Sequence, residues 1–332
     1  MKRFLVLLLA LVLAGCAAQP MAETAASTAT PTTQAVIAVP TAEPTTEPTT
    51  EPTTVPTTVP ETVPVLAEAD IHSLSALYGF VYDLTNGHLL YTHGDQLVER
   101  TPASLTKLLT IPTALEYLDP DTVITAGEEV TWIDPLSSKA WISQGDQLTV
   151  EQLVQGMMLQ SGNDAAYMLA VAAGASIAGG EELTAAENLQ VFMDYMNRRA
   201  WEQGMENTFF VTPDGTTAEG HHTTPEDLLL IAQRALEEPL IRQYAACQQA
   251  DVTFVSGETC QWINTNWMMD PESKYYCDDV IGLKTGTTKA AGNCLLALFD
   301  NDGRELLICV LGCPTLGDRF KDALMLYDIY KE

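Results

Sequence analysis

The chain has 332 residues, of which 16 are lysine or arginine and 44 are aspartate or glutamate, so its formal net charge is −28. Nucleic-acid affinity comes chiefly from lysine and arginine displacing counterions, and we therefore predict no nucleic-acid partner. The length suffices for two average domains, but processing signals at the N-terminus shorten the folded part.

The first sixteen residues have the pattern of a bacterial lipoprotein signal peptide. Lys2 and Arg3 precede an apolar run over residues 4–14, which is too short to cross a bilayer as a helix. The run ends in Leu-Ala-Gly-Cys at 13–16, which resembles a lipobox. We predict cleavage before Cys16 and lipidation of its thiol, so that the protein is anchored outside the bacterial cytoplasmic membrane. An ordinary signal peptide cleaved nearby is the alternative.

Residues 17–67 form a tract rich in threonine, proline and glutamate, in which the unit Glu-Pro-Thr-Thr repeats over 43–52. No hydrophobic core can form from this composition, and its prolines favour extended polyproline II. About 50 residues at about 3.1 Å each reach on the order of 150 Å. We therefore predict a disordered stalk between the anchor and the folded domain.

Residues 68–332 have the composition of one folded domain, near the upper size for a single core. The domain opens with two strand-like runs, Tyr78–Asp83 and His88–His93. Between them lies Asn86-Gly87, a strong hairpin signal. The sequence therefore predicts an N-terminal β-hairpin.

Several helices are predicted in the middle of the domain. Thr101-Pro102 has the pattern of a helix cap followed by proline at the first helical position, and it predicts a helix over 103–117. Thr224-Pro225 predicts a second helix, over 228–237, in the same way. Two further helical segments, 150–159 and 165–173, are expected from their period.

Two strands are predicted near the C-terminus, 292–299 and 305–312, joined by a turn at 301–303 and followed by an amphipathic helix from about Arg319. Strands at both ends of the domain enclose the helices. This order predicts an α+β fold, in which an antiparallel sheet is flanked by helices and contains an inserted helical subdomain. We expect no further domain after the last helix.

Six cysteines follow the predicted anchor. Cys294 and Cys309 lie inside apolar runs and are predicted to be buried thiols. Export permits disulfides, yet the cysteines are not spaced as CxxC pairs. A bridge among Cys247, Cys260 and Cys277 is therefore an alternative that the sequence leaves open.

The five histidines give no sign of a histidine base or a metal site. The sequence contains neither Gly-x-Ser-x-Gly nor His-Glu-x-x-His. His221 and His222 are adjacent, so they point to different faces of a regular element, and we interpret them as loop histidines before a helix cap. We predict neither a metal nor another cofactor.

A serine can instead be activated by a lysine that is kept neutral by burial or by nearby positive charge. Ser104 and Lys107 offer this pairing, because residues three apart at the start of a helix share a face. Ser-x-x-Lys is a common pattern, and an exposed helical lysine is the alternative interpretation.

Ser161 and Asn163 form a second candidate, in a polar break between two predicted helices. A hydroxyl at this place can relay a proton to a leaving amine, and the amide can hold a substrate carbonyl. The alternative is an ordinary turn, since serine, glycine and asparagine are common turn residues.

Lys284, Thr285 and Gly286 form the third candidate, directly after the apolar run 280–283, which is predicted to be an edge strand. The lysine and the threonine can hold a substrate carboxylate. The glycine allows close approach of a backbone. In this order, the three motifs are the signature of class A β-lactamases and penicillin-binding proteins.

Wider stretches around these motifs are similar to the low-molecular-weight D-alanyl-D-alanine carboxypeptidase family, peptidase family S11, from the first hairpin to the last helix. The stretches are Pro-Ala-Ser-Leu-Thr-Lys at 102–107, Ser-Gly-Asn-Asp-Ala-Ala at 161–166, Asn-Thr-Asn at 264–266 and Gly-Leu-Lys-Thr-Gly-Thr-Thr at 282–288. The resemblance implies a β-lactamase/transpeptidase-like fold and a peptidoglycan stem peptide as substrate.

The resemblance also implies a two-step covalent hydrolysis of the bond between two D-alanines. Ser104 is then the nucleophile and Lys107 the general base. Ser161 would pass a proton to the departing D-alanine, and Asn163 would orient the acyl-enzyme. β-Lactam antibiotics would be covalent inhibitors.

Lys284 and Thr285 would receive the terminal carboxylate, and Arg319 is similar in place to a family arginine that faces it. A surface charge in the first turn of the final helix is the alternative for this arginine. The resemblance implies an oxyanion hole made by the backbone N–H groups of Ser104 and Thr287.

Three other functions compete with this one. A class A β-lactamase uses a Glu-x-x-x-Asn, which is absent between Asp164 and Lys284, and Gly162 stands where those enzymes usually have aspartate. A D,D-endopeptidase would use the same residues as a carboxypeptidase. A non-catalytic wall-binding module would fit the stalk and anchor, but the intact motifs argue against it.

We predict a monomer that reaches from the membrane into the cell wall.

Overall fold

The structure is a computed structural model, and it describes residues 73–332. The predicted signal peptide, the lipidation of Cys16, the stalk and residues 68–72 lie outside the described residues and stay predictions. Within 73–332, no helix is both long enough and apolar enough to cross a membrane. In chain order, the strands of this region are β1 (Tyr78–Asp83), β2 (His88–His93), β3 (Val123–Thr125), β4 (Gln147–Thr149), β5 (Gln249–Thr253), β6 (Thr259–Ile263), β7 (Val280–Thr288), β8 (Gly292–Asn301) and β9 (Arg304–Cys313).

Five of these strands form one antiparallel sheet in the spatial order β2-β1-β9-β8-β7. The hairpins predicted at both ends of the domain are confirmed, since β1 pairs with β2 and β8 pairs with β9. Because β1 also pairs with β9, the two ends of the domain share one sheet. The α+β prediction is therefore confirmed, and β7 lies at an edge of the sheet as expected.

The helices lie between the first and the last strands, except for the final one. They are α1 (Lys107–Leu115), α2 (Val150–Leu159), α3 (Asn163–Ile177), α4 (Ala185–Glu202), α5 (Pro225–Leu236), α6 (Pro239–Ala245) and α7 (Asp318–Tyr330). Thr224 caps α5 by accepting a hydrogen bond from the backbone N–H of Asp227, as predicted. Helix α4 was not among the predicted helices, although Thr184 and Glu187 form a capping box at its start.

The sheet separates two hydrophobic cores. Successive side chains of a strand point to opposite faces, so Phe80 packs with α1 to α6 while Val81 packs with α7. On the α7 side the rings of Phe299 and Tyr327 stack with centroids 4.1 Å apart. The helical subdomain therefore covers one face of the sheet, and the last helix covers the other.

The prediction that the first helix begins at residue 103 is wrong. Residues Ala103–Thr106 form a 3₁₀ turn after Pro102, and the α-helix begins only at Lys107. Thr101 is not a cap, because no side-chain hydrogen bond is made to the turn and its hydroxyl has no partner within 73–332. Ala103 has φ +52°, which is unfavourable for a residue with a side chain. Tertiary contacts rather than local sequence preference therefore impose this bend.

The cysteines of the described region are all free thiols. Cys294 and Cys309 are buried as predicted. The bridge considered among Cys247, Cys260 and Cys277 is not formed. Packing rather than disulfide bonding therefore holds this domain together.

Candidate active site

Ser104 and Lys107 meet where the sheet joins the helical subdomain. The Nζ atom of Lys107 lies 3.0 Å from Ser104 Oγ, 2.8 Å from Asn163 Oδ1 and 2.8 Å from the backbone oxygen of Asp214. Lys107 is fully buried, and this burial lowers its pKa to about 8, although the carboxylates of Asp214 and Asp164 oppose the shift. The alternative of an exposed helical lysine is wrong.

The three contacts determine how a neutral Lys107 amine is oriented. Such an amine has two N–H donors and one lone pair. Asn163 Oδ1 and the Asp214 carbonyl can only accept, so they take both donors. The lone pair then points to the hydroxyl of Ser104, which is the orientation that a general base needs.

Two glycines allow other backbone to pass close to the turn that carries Ser104. A Cβ atom on Gly286 in β7 would lie 2.9 Å from the Pro102 oxygen and 3.2 Å from the Ser104 nitrogen. A Cβ atom on Gly215, which has φ +86°, would lie 1.9 Å from the Ala103 oxygen. The sheet edge and the 213–216 loop therefore both pack tightly against the turn. This close packing accounts for the bent backbone of the turn.

His221 supports the same turn through Thr106, a role that no sequence pattern indicated. Its Nδ1 accepts a hydrogen bond from the Val211 N–H at 3.1 Å, so the proton of the neutral ring is on Nε2. Nε2 lies 3.0 Å from Thr106 Oγ1, which donates to the Ala103 oxygen. Burial lowers the pKa of His221 to about 4, so the ring is neutral at physiological pH.

We expect His221→Leu to slow acylation of Ser104 by roughly tenfold, because the turn loses the hydrogen bond from His221 to Thr106. His221→Gln should retain most of the rate, since its amide can accept from Val211 and donate to Thr106. The measurement is the second-order rate constant of labelling with fluorescent penicillin, alongside a thermal melt. Equal rates for both variants would contradict this role.

The second motif lies in the tight turn between α2 and α3. Ser161 is buried, and its φ is +56°. The carboxylate of Asp164 fixes this turn by accepting hydrogen bonds from the backbone N–H groups of Ala140 and Ile142, at 2.8 and 3.0 Å. Gly162 packs so closely that a Cβ atom would lie 2.8 Å from the Ala140 side chain. This fixed turn brings the Asn163 amide to Lys107.

The third motif lies on β7. Lys284 is fully buried, and its Nζ donates to the Thr285 oxygen at 3.1 Å. Burial, with the positive charges of Lys107 and Arg319 nearby, holds the pKa of Lys284 well below its usual value. Thr285 Oγ1 lies 2.6 Å from Thr265 Oγ1, so the Asn-Thr-Asn segment at 264–266 joins the site.

Arg319, the first basic residue of α7, is also part of the site. Its side chain is 4% exposed, so the alternative of a surface charge is wrong. It donates to Thr287 Oγ1 at 3.0 Å and to the Gly286 oxygen at 3.3 Å, while its Nε has no partner within 73–332. Burial lowers its pKa to about 10.

Arg319 and Lys284 form no ion pair with any carboxylate of residues 73–332. Burying two basic groups without an anion is costly for their charged forms, which is why the pKa of each is lowered, and a bound carboxylate would supply the missing negative charge. The two side chains therefore form a place suited to a carboxylate.

Two cavities open beside Ser104, and each is named here after one of its residues. The Arg319 cavity, of about 290 Å³, contains Ser161 and Thr285. The Asp214 cavity, of about 510 Å³, contains Asn163. Because Ser104 lines both, a peptide bound across the serine would extend into one cavity on each side of its scissile bond.

The structure brings all predicted site residues of the folded domain together around these cavities. Ser104, Lys107, Ser161, Asn163, Lys284, Thr285, Gly286, Thr287 and Arg319 belong to this cluster. The sheet, its inserted helices and a serine paired with a buried lysine define a transpeptidase-like protein with a serine-lysine site.

Comparison with known sequences identifies the family. Residues 63–315, well over half of the chain, match the family model described as D-alanyl-D-alanine carboxypeptidase. The chain belongs to this family, and the resemblance found in the sequence is confirmed.

Two relatives illustrate the extent of the similarity. D-alanyl-D-alanine carboxypeptidase DacD of Escherichia coli (strain K12) is 32% identical over 251 residues, which cover 73% of this chain and 59% of that protein. D-alanyl-D-alanine carboxypeptidase DacF of Bacillus subtilis (strain 168) is 29% identical over 237 residues, covering 70% and 56%. This chain thus spans a little over half the length of these relatives.

Solved structures share the fold. The crystal structure of the Streptomyces K15 DD-transpeptidase has a TM-score of 0.69 and 28% identity, covering 80% of this chain and 98% of that one. The D-alanyl-D-alanine carboxypeptidase DacD from Francisella tularensis has a TM-score of 0.66 and 25% identity, covering 80% and 72%. The predicted transpeptidase-like fold is therefore confirmed.

Proposed function

We propose that this protein is a penicillin-sensitive serine D-alanyl-D-alanine carboxypeptidase, which removes the terminal D-alanine from peptidoglycan stem pentapeptides. The observation that carries the proposal is the orientation of Lys107. Both of its donors are held by obligate acceptors, and its lone pair faces Ser104 Oγ at 3.0 Å. The family of the chain supports the same conclusion.

In the first step, Lys107 takes the hydroxyl proton of Ser104 as the oxygen attacks the carbonyl carbon of the penultimate D-alanine. The carbonyl oxygen becomes an oxyanion. The backbone N–H groups of Ser104 and Thr287 would hold it, since fixed donors stabilise charge that develops in the transition state. Gly286 supports this arrangement by letting β7 approach the turn.

The terminal D-alanine leaves from the Arg319 cavity. Lys284, Thr285 and Arg319 would bind its carboxylate, whose negative charge would favour the charged forms of the two buried basic groups. Ser161 lines the same cavity and would pass a proton to the departing amine. Water then hydrolyses the ester on Ser104, with Asn163 holding the acyl group.

Penicillins would acylate the same serine but be released slowly. No glutamate with an asparagine four residues later is present between Asp164 and Lys284 to activate water, as a class A β-lactamase requires. The predicted signal peptide, lipidated Cys16 and stalk would hold a monomeric domain outside the cytoplasmic membrane, within reach of the cell wall.

The proposal is tested by incubating the purified protein with a stem pentapeptide and measuring free D-alanine, before and after treatment with penicillin. We expect release that penicillin blocks, and a penicillin adduct on the tryptic peptide 101–107, which contains Ser104 and no other serine. Absence of both D-alanine release and adduct would overturn the proposal.

The pH dependence of acylation should follow the neutral form of Lys107. Because its pKa is lowered to about 8, the labelling rate should rise about tenfold per unit up to roughly pH 8 and then level off. Asp214→Asn removes a carboxylate that favours the charged amine, so the profile should move to lower pH. The measurement is the rate of penicillin labelling between about pH 6 and pH 9.

Asp134→Asn is the matched control for this shift. Asp134 lines the same cavity, and its substitution removes the same charge. Because Asp134 is exposed, solvent screens its effect on Lys107. Its profile should coincide with that of the unmodified protein. A shift of the Asp214→Asn profile to higher pH would show that Lys107 is not the titrating base.

A further inference from the structure

Ala140 joins the second motif to strand β6. Its N–H donates to Asp164 Oδ1 at 2.8 Å, and its carbonyl oxygen accepts from Trp262 Nε1 at 3.0 Å. Trp262 lies on β6 and is fully buried. The backbone at Ala140 is therefore held from both sides, by the start of α3 and by a tryptophan of the β5–β6 hairpin.

The segment 138–142 around Ala140 also contacts the motif through Ser138. The N–H of Asn163 donates to the Ser138 oxygen at 2.9 Å, and Ser138 lines both cavities of the site. Packing leaves no room for the segment to slide, since a Cβ atom on Gly156 would lie 3.0 Å from the Ala140 side chain. A displacement of the segment would therefore move the Asn163 amide away from the general base.

Two residues at this contact have a strained backbone. Trp141 has φ +65° and Ser161 has φ +56°, and both values lie in the left-handed region that is unfavourable for residues with side chains. Such conformations persist only where the surrounding contacts impose them. The Trp141 ring is 68% exposed, so its own burial does not hold it. The hydrogen bonds made by its neighbours Ala140 and Ile142 hold it instead.

Trp262 supplies one of these bonds from a distant part of the chain. Within 73–332, its indole N–H is the one donor to the Ala140 oxygen, and Ala140 is fully buried. A buried carbonyl without a donor is costly. Loss of the indole N–H would therefore favour a backbone in which this oxygen reaches water, and the strained turn at Ser161 would relax with it.

The same hairpin contacts the second motif at another point. Thr265, just after β6, donates its N–H to the Leu159 oxygen at 3.2 Å, and its Oγ1 lies 2.6 Å from Thr285 Oγ1. The end of β6 therefore connects the second motif with the third. The support that Trp262 gives is thus part of the framework that sets the spacing of the two motifs.

We propose that Trp262 is a positioning residue for the second motif, whose indole N–H holds segment 138–142 so that Ser161 and Asn163 stay aligned with the nucleophile. This inference rests on the proposed function, in which Ser161 passes a proton to the leaving amine and Asn163 orients the general base and the acyl group. Trp262 lines neither cavity beside the nucleophile, so it acts only through the segment. Its loss should slow the reaction of bound substrate and leave binding intact, because the carboxylate site lies on β7 and α7.

The test is Trp262→Phe in the full chain, which keeps an aromatic ring and removes the N–H. We expect kcat for D-alanine release from a stem pentapeptide to fall by roughly tenfold, because the reacting groups lose their alignment. Pentapeptide binding, measured at equilibrium in a Ser104→Ala background, should be unchanged. Rates are expressed per active site, counted by saturating penicillin labelling, so that loss of folded protein does not enter.

Phe254→Leu is the matched control for lost packing. Phe254 is buried against Trp262 with ring centroids 6.0 Å apart, and its backbone hydrogen bonds are with Gly257 and Glu258. We expect this variant to lower the melting temperature about as much as Trp262→Phe while keeping kcat within about twofold of the unmodified protein. Replacing Trp262 with benzothienylalanine, which has the shape of tryptophan with sulfur in place of N–H, should reproduce the loss of kcat without loss of volume.

An unchanged kcat in Trp262→Phe, or an equal loss of kcat in Phe254→Leu, would overturn the inference, since the ring would then support the fold alone. Full activity of the benzothienylalanine protein, or weaker pentapeptide binding in Trp262→Phe, would overturn it as well. If the unmodified protein releases no D-alanine, the proposed function fails, and the inference fails with it.

Discussion

Ser104→Ala is expected to abolish D-alanine release and penicillin labelling, with a loss of at least about 10,000-fold in kcat. The alanine keeps the backbone of the turn but removes the hydroxyl oxygen that lies beside the lone pair of Lys107. Binding should survive, because the carboxylate site of Lys284 and Arg319 is untouched. The measurements are D-alanine release, covalent labelling, and equilibrium binding of a pentapeptide.

Ser176→Ala is the matched control, since this exposed serine in α3 lines neither cavity beside Ser104. Its activity should equal that of the unmodified protein. A stable penicillin adduct on Ser161 in the Ser104→Ala variant would contradict the assignment of the nucleophile. A non-catalytic wall-binding module would bind the peptide and release no D-alanine in either form.

Local sequence patterns predicted most of the framework of the fold. Asn86-Gly87 and the alternation of the flanking strands are local signals, and so is the Thr224-Pro225 cap. The same cap pattern failed at Thr101-Pro102. There the conformation is set by β7 and the 213–216 loop, which lie more than a hundred residues away in the chain.

The three motifs also predicted which side chains the structure brings together around Ser104, but not the contacts that hold them in place. The second acceptor for Lys107 is a backbone oxygen of Asp214, and a backbone oxygen has no sequence signature. His221 was interpreted as a loop histidine, because its ring reaches Thr106 only through tertiary packing. Arg319 could not be separated from a surface charge until its burial against β7 was known.

Two buried lysines compete for the role of general base, and geometry separates them. Burial lowers the pKa of both, and the pKa of Lys284 is held well below its usual value. By pKa alone, either could be neutral. Yet Lys284 donates to the Thr285 oxygen, whereas Lys107 lies 3.0 Å from Ser104 Oγ. A base must first reach the proton, so Lys107 is the candidate.

Lys107→Met is therefore expected to lower the acylation rate by at least about 1,000-fold at every pH. Methionine fills the buried space without a charge, but it leaves no base beside Ser104. It also leaves the Asn163 amide oxygen and the Asp214 carbonyl without their donor, so a thermal melt must accompany the kinetics. The measurement is the penicillin labelling rate between about pH 6 and pH 9.

Lys284→Met provides the decisive contrast, because it removes an equally buried lysine from the same site. Its acylation should weaken through poorer binding of the carboxylate, while the remaining rate still rises with pH up to roughly pH 8, as the titration of Lys107 requires. Lys321→Met, on the exposed face of α7, controls for the loss of a charge alone. If Lys284→Met flattened the pH profile and Lys107→Met preserved it, the two lysines would have to exchange roles, and the lone-pair orientation described above would not be that of the catalytic base.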